Sequence, residues 1–144
     1  TELSLLSSGG SNDWLALIDV DEYIVLPGTS HISTLTRASN SPRLRFLNFN
    51  FDMSQWDQST NVRAFTQRWS RKEVEGFGKG WQNRVKTIAR CDHLLPLVSV
   101  HAISRGAFQI LPPETARLHH YKYPNQGIDI PYNVTDETIS INGL

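Results

Sequence analysis

The chain has 144 residues, with 14 lysines and arginines against 14 acidic residues and 39% hydrophobic residues. That is one globular domain able to bury its own core, and a formal charge of zero argues against a nucleic-acid binder, which needs clustered positive charge. The single cysteine, Cys91, excludes an internal disulfide and a cysteine-rich zinc site. No apolar run reaches the ~18–20 residues that span a bilayer, and the start lacks a basic-then-apolar signal sequence. The chain opens on Thr1 and closes on a polar tail, so it reads as a piece of a longer protein, whose targeting or anchoring segments would lie elsewhere.

Leu3, Leu5 and Leu6 ahead of Ser7 to Asp13 suggest the tail of a helix and a loop. Trp14 to Ile18 is a continuous apolar run, as expected of a strand buried on both faces. It leads into Asp19-Val20-Asp21-Glu22. Tyr23 to Leu26 then resumes the run, and Pro27-Gly28 turns the chain. Residues 30–39 suit a short helix capped by Thr29 or Ser30. From Arg43 to Met53 the residues alternate. Leu44, Phe46, Asn48, Asn50 and Asp52 fall on one side of a strand, and Arg45, Leu47, Phe49, Phe51 and Met53 on the other. A polar loop surrounds Trp56 over 54–61, a strand is expected over 62–71, and a glycine-rich loop over 72–82. Strands are expected again over 84–90, 94–103, 108–111 and 116–122, with no firm structure after Tyr123-Pro124.

In an extended strand Asp19 and Asp21 point the same way, with roots roughly 6.6 Å apart, and Glu22 points opposite. At an effective dielectric of about 20, two carboxylates at that distance repel by about 2.5 kcal/mol. Two readings stand. The aspartates cap a turn and Glu22 is solvated, or the aspartates share a hard divalent cation such as Mg²⁺ or Mn²⁺.

Trp14-Leu15-Ala16-Leu17-Ile18-Asp19-Val20-Asp21-Glu22-Tyr23 resembles the W-x-x-x-x-D-x-D-E-[FY] signature of glycosyltransferases of family 92 and their family-2-like relatives. Later segments agree in order. Arg68-Trp69 resembles an arginine-aromatic pair, Lys86-Thr87-Ile88-Ala89-Arg90 a K-[ST]-I-x-[RK] strand, Val100-His101 a later histidine, and His120-Tyr121 a closing H-Y. Cys91-Asp92 stands where the family usually has a proline, and Phe51-Asp52 where it often has F-G. The resemblance implies an α/β fold of the GT-A type (Rossmann-like, built for nucleotide-diphospho-sugars), incomplete at its N-terminal side. Residues 1–144 would form a single domain, the later part of a catalytic domain.

It implies a metal-dependent glycosyltransferase, hexosyltransferase-like and inverting. Such an enzyme moves a sugar from a nucleotide-diphosphate sugar to a glycan or other hydroxyl acceptor, with Mn²⁺ or Mg²⁺ as cofactor. Asp21 would hold the metal, Asp19 the metal or the donor's ribose, and His120 would be a third ligand, with His101 the alternative. Lys86 and Arg90 share one strand face with Arg84 and Ile88, which suits a diphosphate; a charged edge strand is the other reading of that face. For the base on the acceptor hydroxyl the candidates are Asp52, Asp57 and His101. Asp52 is preferred because it ends an apolar strand near Trp56, which could stack on a sugar. Trp56, Trp69 and Trp81 are equally readable as packing residues. Asn133-Val134-Thr135 fits the N-glycosylation triplet. No nucleic-acid partner is expected. A membrane anchor would belong to the parent protein rather than to these residues, and the expected location is the Golgi lumen or membrane for a eukaryotic parent and the cytoplasm otherwise. Two other functions fit less of the pattern: a non-catalytic glycan-binding or remnant domain of the same fold, and another metal enzyme acting on phosphate esters.

Overall fold

The computed structural model describes residues 13–29, 31–72, 85–93, 107–122 and 131–141. The helix tail expected before residue 13, most of the 72–82 loop, Trp81, Arg84, and the 94–103 strand with His101 lie outside the described residues. The long alternating segment becomes β3 (Arg43–Asn50), the centre of a mixed sheet. Around it stand β1 (Trp14–Ala16), β2 (Glu22–Val25), β5 (Val85–Arg90), β6 (Gln109–Ile110) and β7 (Arg117–His120). The order is β1-β5-β3-β7-β2, with β6 also on β3. One edge of β3 runs antiparallel to β5. The other edge is shared by two parallel partners, β6 beside Leu44 and Arg45 and β7 beside Asn48 to Asn50. A helix, α1 (Ile32–Ala38), follows β2, and a separate two-stranded ribbon pairs β4 (Gln67–Arg68) with β8 (Val134–Thr135). Helix α2 (Thr138–Ile141) ends the described chain. Among the described residues no helix is long and apolar enough to cross a membrane.

Alternation sorts the sheet into two faces. On one, Leu44, Phe46, Ile88 and Leu118 pack with Leu111 and Ala116, and Ile24, Leu26 and Leu35 close over them. On the other, Leu47, Phe49 and Val85 meet Trp69, while Phe51 and Met53 meet Val25, Phe65 and Tyr121. Phe46, Phe49 and Phe51 are fully buried, and such burial stabilises the fold by roughly 1.5–3 kcal/mol per side chain. After β2 the chain presses against the β6–β7 connection. Gly28 N–H donates to Thr115 C=O at 3.2 Å, and a Cβ at residue 28 would lie 2.9 Å from Thr115 Cα, so only glycine fits.

Several elements differ from the sequence expectation. β1 stops at Ala16 and is an edge strand, so Ile18 and Val20 are exposed rather than buried on both faces. β5 is flanked on both sides, which rules out the charged-edge reading of Lys86 and Arg90. The expected strand over 62–71 begins as a 3₁₀ turn, Val62–Ala64, because Asn61 Oδ1 accepts the Arg63 N–H at 3.0 Å and caps it. Helix α1 starts later than expected, with His31 at its N-cap and no side-chain cap bond. The region after Pro124 does carry structure, β8 and α2.

The first face of the sheet changes chemistry along its length. Its apolar end holds Leu44 and Ile88; its other end holds Asn48, Asn50, Lys86, His120 and Glu22. Residues 17–21 cross that polar end, joining the two outermost strands. A flat sheet would separate β1 from β2 by four spacings, roughly 19 Å. Six Cα steps that include a tight turn reach roughly 17 Å, so the sheet curls to bring its edges within reach.

Candidate active site

The link across the polar end does not continue as a strand. Glu22 N–H donates to Asp19 C=O at 3.1 Å, and Asp19 N–H donates to Glu22 Oε2 at 2.9 Å. These two bonds close a turn over residues 19–22. A third bond, Tyr121 N–H to Asp21 C=O at 2.9 Å, fastens the turn to the chain after β7. Glu22 is therefore neither solvated nor turned away from the aspartates, as strict alternation would have it. The turn folds its side chain inward, onto Lys86.

Lys86 Nζ lies 2.9 Å from Asp19 Oδ2 and 3.0 Å from Glu22 Oε2. The Lys86 side chain is 1% exposed and that of Glu22 0%, whereas Asp19 is 55% exposed. Burial opposes the ammonium charge, but the hydrogen bonds and charges of the two acids outweigh it and hold the Lys86 pKa above the ordinary lysine value. Lys86 is thus a buried ion, charged at neutral pH, at the root of the turn.

The second aspartate faces β7. His120 Nε2 lies 3.5 Å from Asp21 Oδ2, and Asn48 Nδ2 lies 3.3 Å from His120 Nδ1. Burial lowers the His120 pKa, against the opposing pull of Asp21 and Glu22, so the ring is neutral at neutral pH. With Lys86 offsetting one of three carboxylates, the cluster keeps two negative charges in excess. Among the described residues no three acidic, histidine or cysteine side chains converge on one point. What the turn offers is two partly exposed carboxylates, Asp19 and Asp21, with a neutral imidazole against the second.

The fold therefore brings Asp19, Asp21, His120 and Lys86 together. It sets Arg90 apart, at the opposite end of β5 and opposite Trp14, with its guanidinium on Asp92 at 3.2 Å. Asp52 follows Phe51, whose N–H bonds His120 C=O at 3.0 Å, so it stands at the polar end of the sheet; its Oδ1 accepts the Ser54 N–H at 3.0 Å. Asp57 closes an exposed loop through Ser59 and Thr60. Trp56 is exposed, whereas Trp69 is a core residue stacked on Tyr132 with ring centres 6.2 Å apart. Asn133 of the glycosylation triplet is exposed beside β8.

Sequence reasoning missed Glu22 and Asn48 as members of the cluster. The signal for Asn48 was present: amides interrupt an otherwise apolar face of β3. It also missed a second buried network on the other face of β7. Asp136, just after β8, pairs with Arg68 and with Arg117, the latter at 2.6 Å, and accepts from Thr138 Oγ1 at 2.5 Å. Arg117 Nε donates to His119 Nε2 at 2.9 Å, a shorter contact than the 3.4 Å from that nitrogen to Asp136, so the ring nitrogen is an acceptor. Burial opposes the Asp136 charge, yet the surrounding donors outweigh it and hold the carboxyl well below the usual carboxylate range. Arg68, Arg117, Asp136 and Thr138 line a cavity of about 350 Å³.

The family model described as Glycosyltransferase family 92 matches residues 3–142, nearly the whole chain and both halves of the acidic cluster. No curated protein matches the chain closely enough to count as a relative. The mixed α/β sheet agrees with the GT-A architecture expected of that family. The chain belongs to glycosyltransferase family 92, and its general work is to pass a sugar from a donor to an acceptor.

Proposed function

We propose that the protein is a metal-dependent, inverting glycosyltransferase that takes its sugar from a nucleotide-diphosphate sugar and delivers it to a hydroxyl of a glycan or similar acceptor. The observation that carries this reading is the acidic turn: two outward carboxylates, a neutral histidine beside one of them, and negative charge in excess. Carboxylate oxygens with one imidazole suit Mn²⁺ or Mg²⁺. Asp21 and Asp19 would hold the ion; His120 lies against Asp21 and would have to shift to become a third ligand, since the three side chains do not converge on one point. When bound, such an ion supplies positive charge to the diphosphate as it leaves.

The chain's own residues do the rest. Lys86 acts from beneath the turn by its fixed charge. Asn48 Nδ2 donates to His120 Nδ1 and so orients the ring with its proton on Nε2, toward Asp21; ligation through Nε2 would require that proton to leave. Asp52, at the same end of the sheet, is the proposed base that takes the acceptor's hydroxyl proton. Arg90 has no part in this reading, since its guanidinium lies on Asp92 at the far end of β5.

The test is Asp21→Asn, assayed with Mn²⁺ and a panel of UDP- and GDP-sugars. Transfer is expected to fall on the order of 10²–10³-fold while the circular dichroism spectrum stays unchanged. Full transfer by this variant, or by wild-type chain stripped of divalent ions, would remove the metal from the account. Proton NMR of the glycosidic product reads the anomer, and a retained configuration would refute inversion.

A further inference from the structure

We infer that Glu22 is a positioning residue of this site, the side chain that holds the Asp19–Asp21 turn in the shape a divalent cation requires. The inference rests on the cation reading above. Several contacts among the described residues fix the turn. Glu22 takes part in three: it accepts the Asp19 N–H at 2.9 Å, donates its own N–H to Asp19 C=O at 3.1 Å, and pairs with Lys86 at 3.0 Å. Another is Tyr121 N–H on Asp21 C=O. Lys86 then reaches the Asp19 carboxylate at 2.9 Å, so the acid buried under the turn also fixes the direction of the acid above it.

Packing does not do this work. Val20, between the two aspartates, is 100% exposed, so no hydrophobic contact holds the tip. Nor is Glu22 a good core residue. Its Oε1 is buried and takes no hydrogen bond from the described residues, an unfavourable state for a carboxylate kept only to fill space. Its other oxygen, Oε2, carries both the backbone contact and the ion pair. Removing Glu22 leaves the Asp19 N–H without its acceptor and Lys86 with Asp19 as its remaining partner. Asp19 keeps its contact with the ammonium but loses the bond that fixes its main chain, so the direction of its carboxylate relative to Asp21 is no longer held.

The experiment titrates the chain with Mn²⁺ alone, without nucleotide, reading free Mn²⁺ by electron paramagnetic resonance. Glu22→Ala is expected to weaken binding at least about tenfold, the scale of losing a residue that orients metal ligands. Glu22→Gln keeps an acceptor for the Asp19 N–H and is expected to stay within about threefold of wild type. Circular dichroism at the titration temperature shows that each variant is folded. If Glu22→Ala does not fold, Glu22→Met, which fills more of the same space and leaves Lys86 paired with Asp19, removes the same side-chain contacts, and the same tenfold loss is expected of it. A folded variant lacking these contacts that binds Mn²⁺ as wild type does overturns the inference and leaves the cation reading standing. Equal losses in Glu22→Ala and Glu22→Gln also overturn it, since charge alone would then account for both. A wild-type chain that binds no Mn²⁺ overturns the cation reading itself.

Discussion

A buried lysine between two carboxylates is stable only as a set. Lys86→Met would leave Glu22 buried with no counter-charge, and breaking a buried pair in this way costs about 3–5 kcal/mol. Adding Glu22→Gln removes the orphaned charge, so the double variant is expected to recover most of that loss in urea unfolding. If it is no more stable than Lys86→Met alone, the pair is not the unit that holds the turn. At this scale the sequence was partly legible. Asp19, Asp21, Lys86 and His120 stood out because charged and imidazole groups near apolar runs are unusual. Glu22 did not, because a period of two sends it to the other face. The alternation fails at 19–22, where two hydrogen bonds turn the backbone and the long acid folds back beneath it.

Among the elements, β7 carries two kinds of chemistry on two faces. His120 looks to Asp21, while Arg117 and His119 look to Asp136. The segment after residue 131 is therefore fastened to the sheet by charge. Asp136→Asn would leave Arg68 and Arg117 without their buried counter-ion, and a loss of about 3–5 kcal/mol is expected in denaturant unfolding. A change under 1 kcal/mol would show that the arginines find other partners. The β3 register was readable from alternation, and with it both faces of the sheet. The ribbon of β4 and β8 was not, because two-residue strands carry no periodic signal and gain their place from Arg68 and Gln67, whose partners lie 68 residues further along the chain. The β1 run was misread for a related reason. Five apolar residues look like a central strand, but the last of them serve the crossing, not the sheet.

For the molecule as a whole, these ionisable groups set a pH window. His119 and His120 have pKa values lowered by burial, so the unfolded chain binds more protons than the folded one below the ordinary histidine value of about 6.5, and stability falls there. Asp136 has a depressed pKa, so its contribution is full above the ordinary aspartate value of about 3.9 and is lost as pH falls further. Lys86 has a raised pKa; its contribution is full below about 10.4 and is lost as pH rises through the folded value. Melting temperature is therefore expected to be flat from about pH 7 to 10, to decline in two stages on the acid side, and to decline again in alkali. Asp136→Asn should remove the lower acid stage and leave the others. A wild-type profile that is flat down to pH 4 would mean that the two histidines titrate alike in both states.

The link over residues 17–21 behaves like a drawstring. Its ends are sewn into opposite hems of the sheet, so any flexing of that sheet tightens or slackens the loop bearing Asp19 and Asp21. Substitutions far away, under Trp69 or Phe46, that alter the coil of the strands would then change how Asp19 and Asp21 are set and, on the proposed cation role, which ionic radius the loop accepts, without touching an acidic residue.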